Sequence, residues 1–121
     1  MYDAIPCRIH GPCKLASKRF APLGALCRGV NSTYNIRVGR ARIVTGPYVD
    51  QAGVPMMEGS GTLVLAATTP SWRGPGHQAV LQDINGDYLV FHAYEGKTGR
   101  SELKISTMAW DNGWPRVAAL P

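Results

Sequence analysis

Two of the chain's three histidines, His77 and His92, fall within one stretch, Trp72 to Tyr94. His77 follows Gly74-Pro75-Gly76 where that segment turns into a strand, so its imidazole is held at a strand mouth rather than mid-sheet. Small neighbours there let ligand, solvent or another backbone approach closely. A single histidine with no second ligand nearby is not a zinc-type pattern, and from spacing alone a structural hydrogen-bonding role is favoured. The carboxylates are less suggestive. Asp50, Asp83, Asp87 and Asp111 all stand in turn contexts, where aspartate commonly caps nearby backbone. Glu58 precedes a glycine turn and Glu95 ends a strand, and both are expected to be solvated. Tyr34, Trp72, Tyr94, Trp110 and Trp114 offer faces on which a sugar can stack, against the weightier expectation that most of them fill a β core. Gly59-Ser60-Gly61 has no following helix and no lysine, so it reads as a turn and not a phosphate loop.

The elements that position these residues are strands. Tyr88 to Tyr94 alternates, with Leu89, Phe91 and Ala93 on one face and Tyr88, Val90, His92 and Tyr94 on the other. The polar Asp83 to Asp87 segment holds Asn85-Gly86, a dipeptide suited to a tight hairpin, and joins that strand to Gln78–Leu81. Upstream, Tyr34, Ile36 and Val38 alternate with Asn35 and Arg37, Arg40–Val44 extends that strand, and Thr45-Gly46-Pro47 ends it. Tyr48-Val49 and Thr62–Ala66 read as short strands. Leu103, Ile105 and Thr107 alternate with Glu102, Lys104 and Ser106, and Asp111-Asn112-Gly113 turns the chain between Trp110 and Trp114. Strands at short intervals with turns between them, and no amphipathic helix, define an all-β propeller or barrel.

Composition agrees. The 121 residues include 14 glycines and 9 prolines, and only 17% are charged. Such a balance suits strands and tight turns. No apolar run approaches the roughly 20 residues of a membrane helix, and no membrane partner is expected. The first residues show no signal-peptide pattern, leaving the compartment open between secreted and cytoplasmic in a microbe. The net charge of +5 is concentrated at one end: residues 1–42 carry Arg8, Lys14, Lys18, Arg19, Arg28, Arg37, Arg40 and Arg42 against Asp3 alone. Such asymmetry occurs in nucleic-acid-binding arms. Cys7, Cys13 and Cys27 make an odd count without CxxC spacing, neither a zinc signature nor a disulfide framework, though a Cys7–Cys13 bridge stays open. Asn31-Ser32-Thr33 matches the common glycosylation tripeptide, which matters only in a eukaryotic secreted protein.

The motifs GPGHQAV, DYLVFHAYEG and AWDNGWP, preceded by CRGVNSTYNIRVGRARIVTGPYVDQAGVPMMEGSGT, occur here in that order. From Cys27 to about Pro115 the chain resembles the closing part of the arabinan-degrading enzymes of glycoside hydrolase family 43. The resemblance implies a five-bladed β-propeller that cleaves α-1,5-linked arabinan with inversion. A chain of this length then holds about two four-stranded antiparallel blades, in residues 26–121, with residues 1–25 an unassigned divergent arm. Inversion needs an acid and a base roughly 6.5–9.5 Å apart. The family's two aspartates and glutamate lie N-terminal to the matched part, and no carboxylate here corresponds to them. Ile9-His10-Gly11-Pro12 stands near the place of the glutamate motif, so His10 would replace that residue. His77 matches the histidine that faces the family's central channel and helps hold an ion, often calcium with water. Calcium prefers oxygen ligands, so waters or neighbouring carboxylates must complete its shell. Gln78 stands where the family more often has Asn, and His92 matches a second-strand histidine with a packing or hydrogen-bonding role. Because Arg28, Arg37, Arg40 and Arg42 fall inside this resemblance, a solvated basic face is preferred to a nucleic-acid site.

These readings leave an arabinanase-like hydrolase acting on arabinan-type polysaccharide. The alternative is a non-catalytic carbohydrate-binding or structural fragment that has lost its acid and base. Site expectations fall on His77 for an ion, and more weakly on Trp72, Tyr94 and Tyr34 for sugar. Two blades alone expose an unmatched face and free strand edges, so a homo-oligomer is expected.

Overall fold

The structure is a computed structural model that describes residues 3–6, 14–20, 29–59 and 61–120, with side chains described from Gly29 onward. Cys7, Cys13, Cys27 and His10 lie outside the described residues. No helix among the described residues is long and apolar enough to cross a membrane.

Among the described residues eight strands form two antiparallel sheets. The first contains β1 (Asp3–Pro6), β2 (Lys14–Phe20), β3 (Asn35–Ala41) and β4 (Thr62–Leu65), in that spatial order. The second contains β5 (Trp72–Asp83), β6 (Gly86–Glu95), β7 (Ser101–Asp111) and β8 (Trp114–Val117), again in chain order. Short 3-10 turns at Gly29–Asn31 (η1) and Met56–Glu58 (η2) complete the regular structure. Each sheet keeps its strands in chain order and is therefore a meander. The segment left unassigned in the sequence contributes β1 and β2, with β2 paired to β3 from Lys14↔Ala41 to Phe20↔Asn35.

The alternation seen in the sequence sets the packing. Tyr34, Ile36 and Val38 are buried on the first sheet, and Leu89, Phe91 and Ala93 on the second. Ile36, Leu89, Phe91 and Ala93 meet across the sheet boundary in one core with Leu65 and Leu120, flanked by Val64, Trp72, Val80 and Val117, while Val38 packs with Trp114 in a second. A cavity of about 20 Å³ lies between the sheets, bounded by Ile36, Val64, Val80, Leu89 and Trp110 among others. Its lining is apolar. A polar tie closes the same boundary: the Arg40 guanidinium lies 4.7 Å over the Trp114 ring and donates from Nη1 to the Asn112 carbonyl at 2.9 Å.

The turns differ in detail from expectation. Asp83 pairs with Gly86, so the β5–β6 loop is Ile84-Asn85, and Gly86 with φ 143° opens the next strand. The Asn-Gly pair with both residues at positive φ is instead Asn112-Gly113 (50° and 79°), between the paired Asp111 and Trp114. That is the arrangement of a type I′ hairpin turn. Arg40–Val44 does not extend β3 beyond Ala41; the chain bends away and Val49 returns only as an isolated bridge to Arg40 and Pro55. In β7 the apolar register turns outward: Leu103 and Ile105 are exposed, whereas Lys104 and Ser106 are half-buried. Amphipathic alternation fixes which residues share a face but not which face meets the other sheet.

Candidate functional site

β5 is twelve residues long and its pairing with β6 is interrupted twice, between Arg73 and Gly76 and between Gly76 and Ala79. Such bulges re-aim the side chains near them. Gly74, at φ 54°, lies so close to η1 that a Cβ there would collide with Ser32 Oγ. The close approach of η1 to β5 therefore requires a glycine. His77 sits in the second irregularity with φ 52°. That left-handed conformation is uncommon for a residue with a Cβ. Its side chain is exposed. The strand mouth expected from Gly74-Pro75-Gly76 is therefore a doubly bulged strand, and the distortion lifts the imidazole out of the sheet's regular register.

His77 has neighbours that the sequence did not announce. Its ring centroid lies 5.9 Å from that of His92 on β6, and His92 lies 5.1 Å from the Tyr94 ring. His92 and Tyr94 are two apart on one strand and share a face, which alternation makes legible. The partner across the strands was not legible, because the bulges offset β5 by an amount no period reveals. The result is a row of two imidazoles and a phenol, from exposed His77 through half-buried His92 to buried Tyr94. Such a row supplies hydrogen-bond donors and acceptors and a tilted aromatic wall.

The other aromatics stand elsewhere. Tyr34 is a core residue at 8% exposure. Trp72 packs against the inter-sheet core and carries the Lys104 ammonium 3.2 Å from its ring centroid. One face of that indole is thus occupied by a cation. Trp114 is buried beneath Arg40, and Trp110 donates its Nε1–H to Asp87 Oδ2 at 2.6 Å.

All the described carboxylates but Glu58 are committed to the fold. Asp50 Oδ1 accepts from the backbone N–H of Ala52 and Val54, and Asp83 Oδ1 accepts from that of Ile84, as turn aspartates should. Asp87 and Asp111 do not cap turns: one takes the Trp110 indole and the other pairs with Arg116 at 3.3 Å, because strand pairing brings those donors closer than any local backbone. Glu102 pairs with Lys104 at 3.4 Å. Glu95 accepts from the Thr98 hydroxyl and from the backbone N–H groups of Thr98 and Lys97. These bonds, led by the hydroxyl, favour the charged form and hold its pKa below the ordinary 4.5. Glu58 is exposed in η2. Among the described residues no three of His, Cys, Asp and Glu gather where a metal ion would be held. The donor set around His77 is nitrogen and phenol with no grouped carboxylates, which does not fit calcium without further oxygen ligands.

The basic residues Arg37 and Arg40 are likewise engaged. Arg37 donates to Asn35 Oδ1 and to the Gly61 carbonyl, each at 3.0 Å, and Arg40 closes the sheet boundary.

Two four-stranded meanders packed face to face through alternating apolar residues are adjacent blades of a β-propeller. The profile of glycosyl hydrolases family 43 matches residues 20–115, and the chain belongs to that family. It is 46% identical over 90 residues to the extracellular endo-α-(1→5)-L-arabinanase 1 of Bacillus subtilis, covering 74% of this chain and 27% of that protein. It is 43% identical over 100 residues to an extracellular exo-α-(1→5)-L-arabinofuranosidase of Cellvibrio japonicus, covering 81% and 28%. Among solved structures, an α-L-arabinanase of Cellvibrio cellulosa complexed with arabinohexaose superposes with a TM-score of 0.81 at 35% identity, over 97% of this chain and 36% of that one. The chain thus spans between a quarter and two-fifths of the length of these relatives, and the fold is part of a five-bladed propeller.

Proposed function

We propose that this chain forms two neighbouring blades of an arabinan-handling propeller, contributing to the wall that meets polysaccharide rather than the acid and base. The observation that carries this is the commitment of six of the seven carboxylates whose side chains are described: Asp50, Asp83, Asp87, Glu95, Glu102 and Asp111 each bind a neighbouring group of the fold, whereas Glu58 stands exposed in η2. Inversion requires one carboxyl free to protonate the leaving oxygen and another free to activate water. The relatives named for arabinan supply the substrate class, and their description as extracellular supports secretion. The exposed His77 imidazole, with half-buried His92 beside it and buried Tyr94 behind, is the surface offered to sugar. An ion beside His77 belongs to this reading only if water or the rest of a ring completes its oxygen shell. Self-association belongs to it too, since from Ser101 to Thr107 β7 has no partner strand on one side among the described residues.

Linear arabinan incubated with the purified chain tests the proposal. The expected result is little or no release of reducing ends, with retardation of the chain in an arabinan-containing native gel that His77→Ala weakens. Absence of an acid or base forfeits the roughly 10²–10⁴-fold of general acid–base catalysis. Robust turnover would overturn the reading and send mutagenesis to His10, Glu58 and Glu95. A gel without retardation, for wild type and variant alike, would leave a structural fragment.

A further inference from the structure

β7 runs for eleven residues, but β8 covers only its last four: Met108, Ala109, Trp110 and Asp111 pair with Val117, Arg116, Pro115 and Trp114. From Ser101 to Thr107 the strand has β6 on one side and no strand on the other among the described residues. The chain beyond Val117 does not fill the gap, because Leu120 turns into the inter-sheet core and its carbonyl accepts from Thr68 Oγ1. Strand edges of this kind are usually guarded by charge, a proline or a bulge. This one is straight, holds no proline, and its one lysine, Lys104, is folded over the Trp72 ring. Leu103 and Ile105 beside it are 71% and 61% exposed.

The hydrogen-bonding groups on this edge follow from the turn. In a two-residue hairpin the residues flanking the loop form a hydrogen-bonded pair, so Asp111 and, by alternation, Ala109, Thr107, Ile105, Leu103 and Ser101 aim their backbone N–H and C=O at the β8 side. The last four of these lie past the end of β8.

We propose that the Ser101–Ile105 edge of β7 pairs antiparallel with the same edge of a second copy of this chain, about a twofold axis through Leu103. This rests on the self-association named above and locates it. That register sets Leu103 opposite Leu103 and Ser101 opposite Ile105, all residues with outward backbone groups, and it places Glu102 across from the partner's Lys104 on both sides of the axis, so that each lysine exchanges its contacts with its own Glu102 and Trp72 for the partner's Glu102. The two adjacent registers that keep the outward groups paired are poorer: one opposes Glu102 to Glu102, the other Lys104 to Lys104. Like charges directly opposed are destabilising, and opposite charges there stabilise. Charge complementarity within this one strand therefore selects both the partner and the register. The product is one continuous sheet running through both copies.

Cysteine trapping and light scattering test it on the full chain. With Cys7, Cys13 and Cys27 replaced by serine, Leu103→Cys should form an intersubunit disulfide on mild oxidation, because hydrogen-bonded antiparallel partners lie about 5.5 Å apart at Cα, within disulfide reach. Ile105→Cys should not. On the natural cysteine background, the wild type should scatter as a dimer at micromolar concentration, Glu102→Lys as a monomer, and Glu102→Lys/Lys104→Glu as a dimer again. A monomeric wild type would overturn self-association altogether. A dimer that ignores the charge reversals and crosslinks at neither cysteine would overturn this edge while leaving self-association through another surface. Crosslinking at Ile105→Cys but not at Leu103→Cys would overturn the register.

Discussion

On one face of the β5–β8 sheet Leu89, Phe91 and Ala93 are 3%, 1% and 0% exposed; on the other, Leu81, Leu103 and Ile105 are 52%, 71% and 61% exposed. Both faces are apolar at alternate positions. The first is dry because a second sheet, with Ile36 and Leu65, lies against it. The second has no such neighbour among the described residues. The stabilising term is area removed from water, roughly 25 cal/mol per Å², and not the residue type itself. Identical chemistry is thus core on one side and open surface on the other.

The sharpest way to break the comparison is a pair of truncations. Phe91→Ala should cost about 3–5 kcal/mol through lost burial and the cavity left behind, whereas Leu103→Ala should stay within about 0.5 kcal/mol in the monomer. Urea unfolding below the dimerisation concentration reads both. Equal costs would mean that the outer face is covered in solution.

Next in size is a charged group set into the packed side. Asp87 is 6% exposed and receives the Trp110 indole. Trp110→Phe keeps an aromatic ring but removes that donor, and should cost about 1–3 kcal/mol, chiefly because a carboxylate oxygen loses a partner where water cannot replace it. A thermal shift indistinguishable from wild type would show that water reaches Asp87.

The rim of the boundary is weaker. Arg40→Ala removes an exposed hydrogen bond and a cation over Trp114. Together these should be worth about 1 kcal/mol in urea unfolding. Arg40→Lys keeps the charge but not the planar contact, and should recover only part of that loss.

Glu95 provides the smallest effect and a pH signature. Its folded pKa is lowered, so whatever it contributes is present above its unfolded value and lost as pH falls through the folded one. An NMR titration should find the Glu95 carboxyl titrating below 4.5, and Thr98→Ala, which removes the leading hydrogen bond, should move it back up. An unmoved titration in the variant would assign the shift to the backbone N–H groups instead.

Much of this architecture is legible in the residues alone. Period-two alternation at Tyr34–Val38 and Tyr88–Tyr94, and glycine-rich turns between short runs, are local properties, and they establish the strands, the all-β class and the sharing of one face by Leu89, Phe91 and Ala93. Local, too, are the capping roles of Asp50 and Asp83, whose partners lie within a few residues. What the tertiary structure decided depends on groups distant in sequence. Asp87 meets Trp110 rather than a turn because β6 and β7 pair in that register. Arg40 closes onto Trp114 because two blades abut. The β5 bulges, beside which His77 comes within 5.9 Å of the His92 ring, shift the register by an amount that no periodicity records. Leu103 and Ile105 are the plainest case. Their alternation makes β7 a strand, but whether an apolar face is core or surface depends on what packs against it across the sheet, and only the assembled fold supplies that.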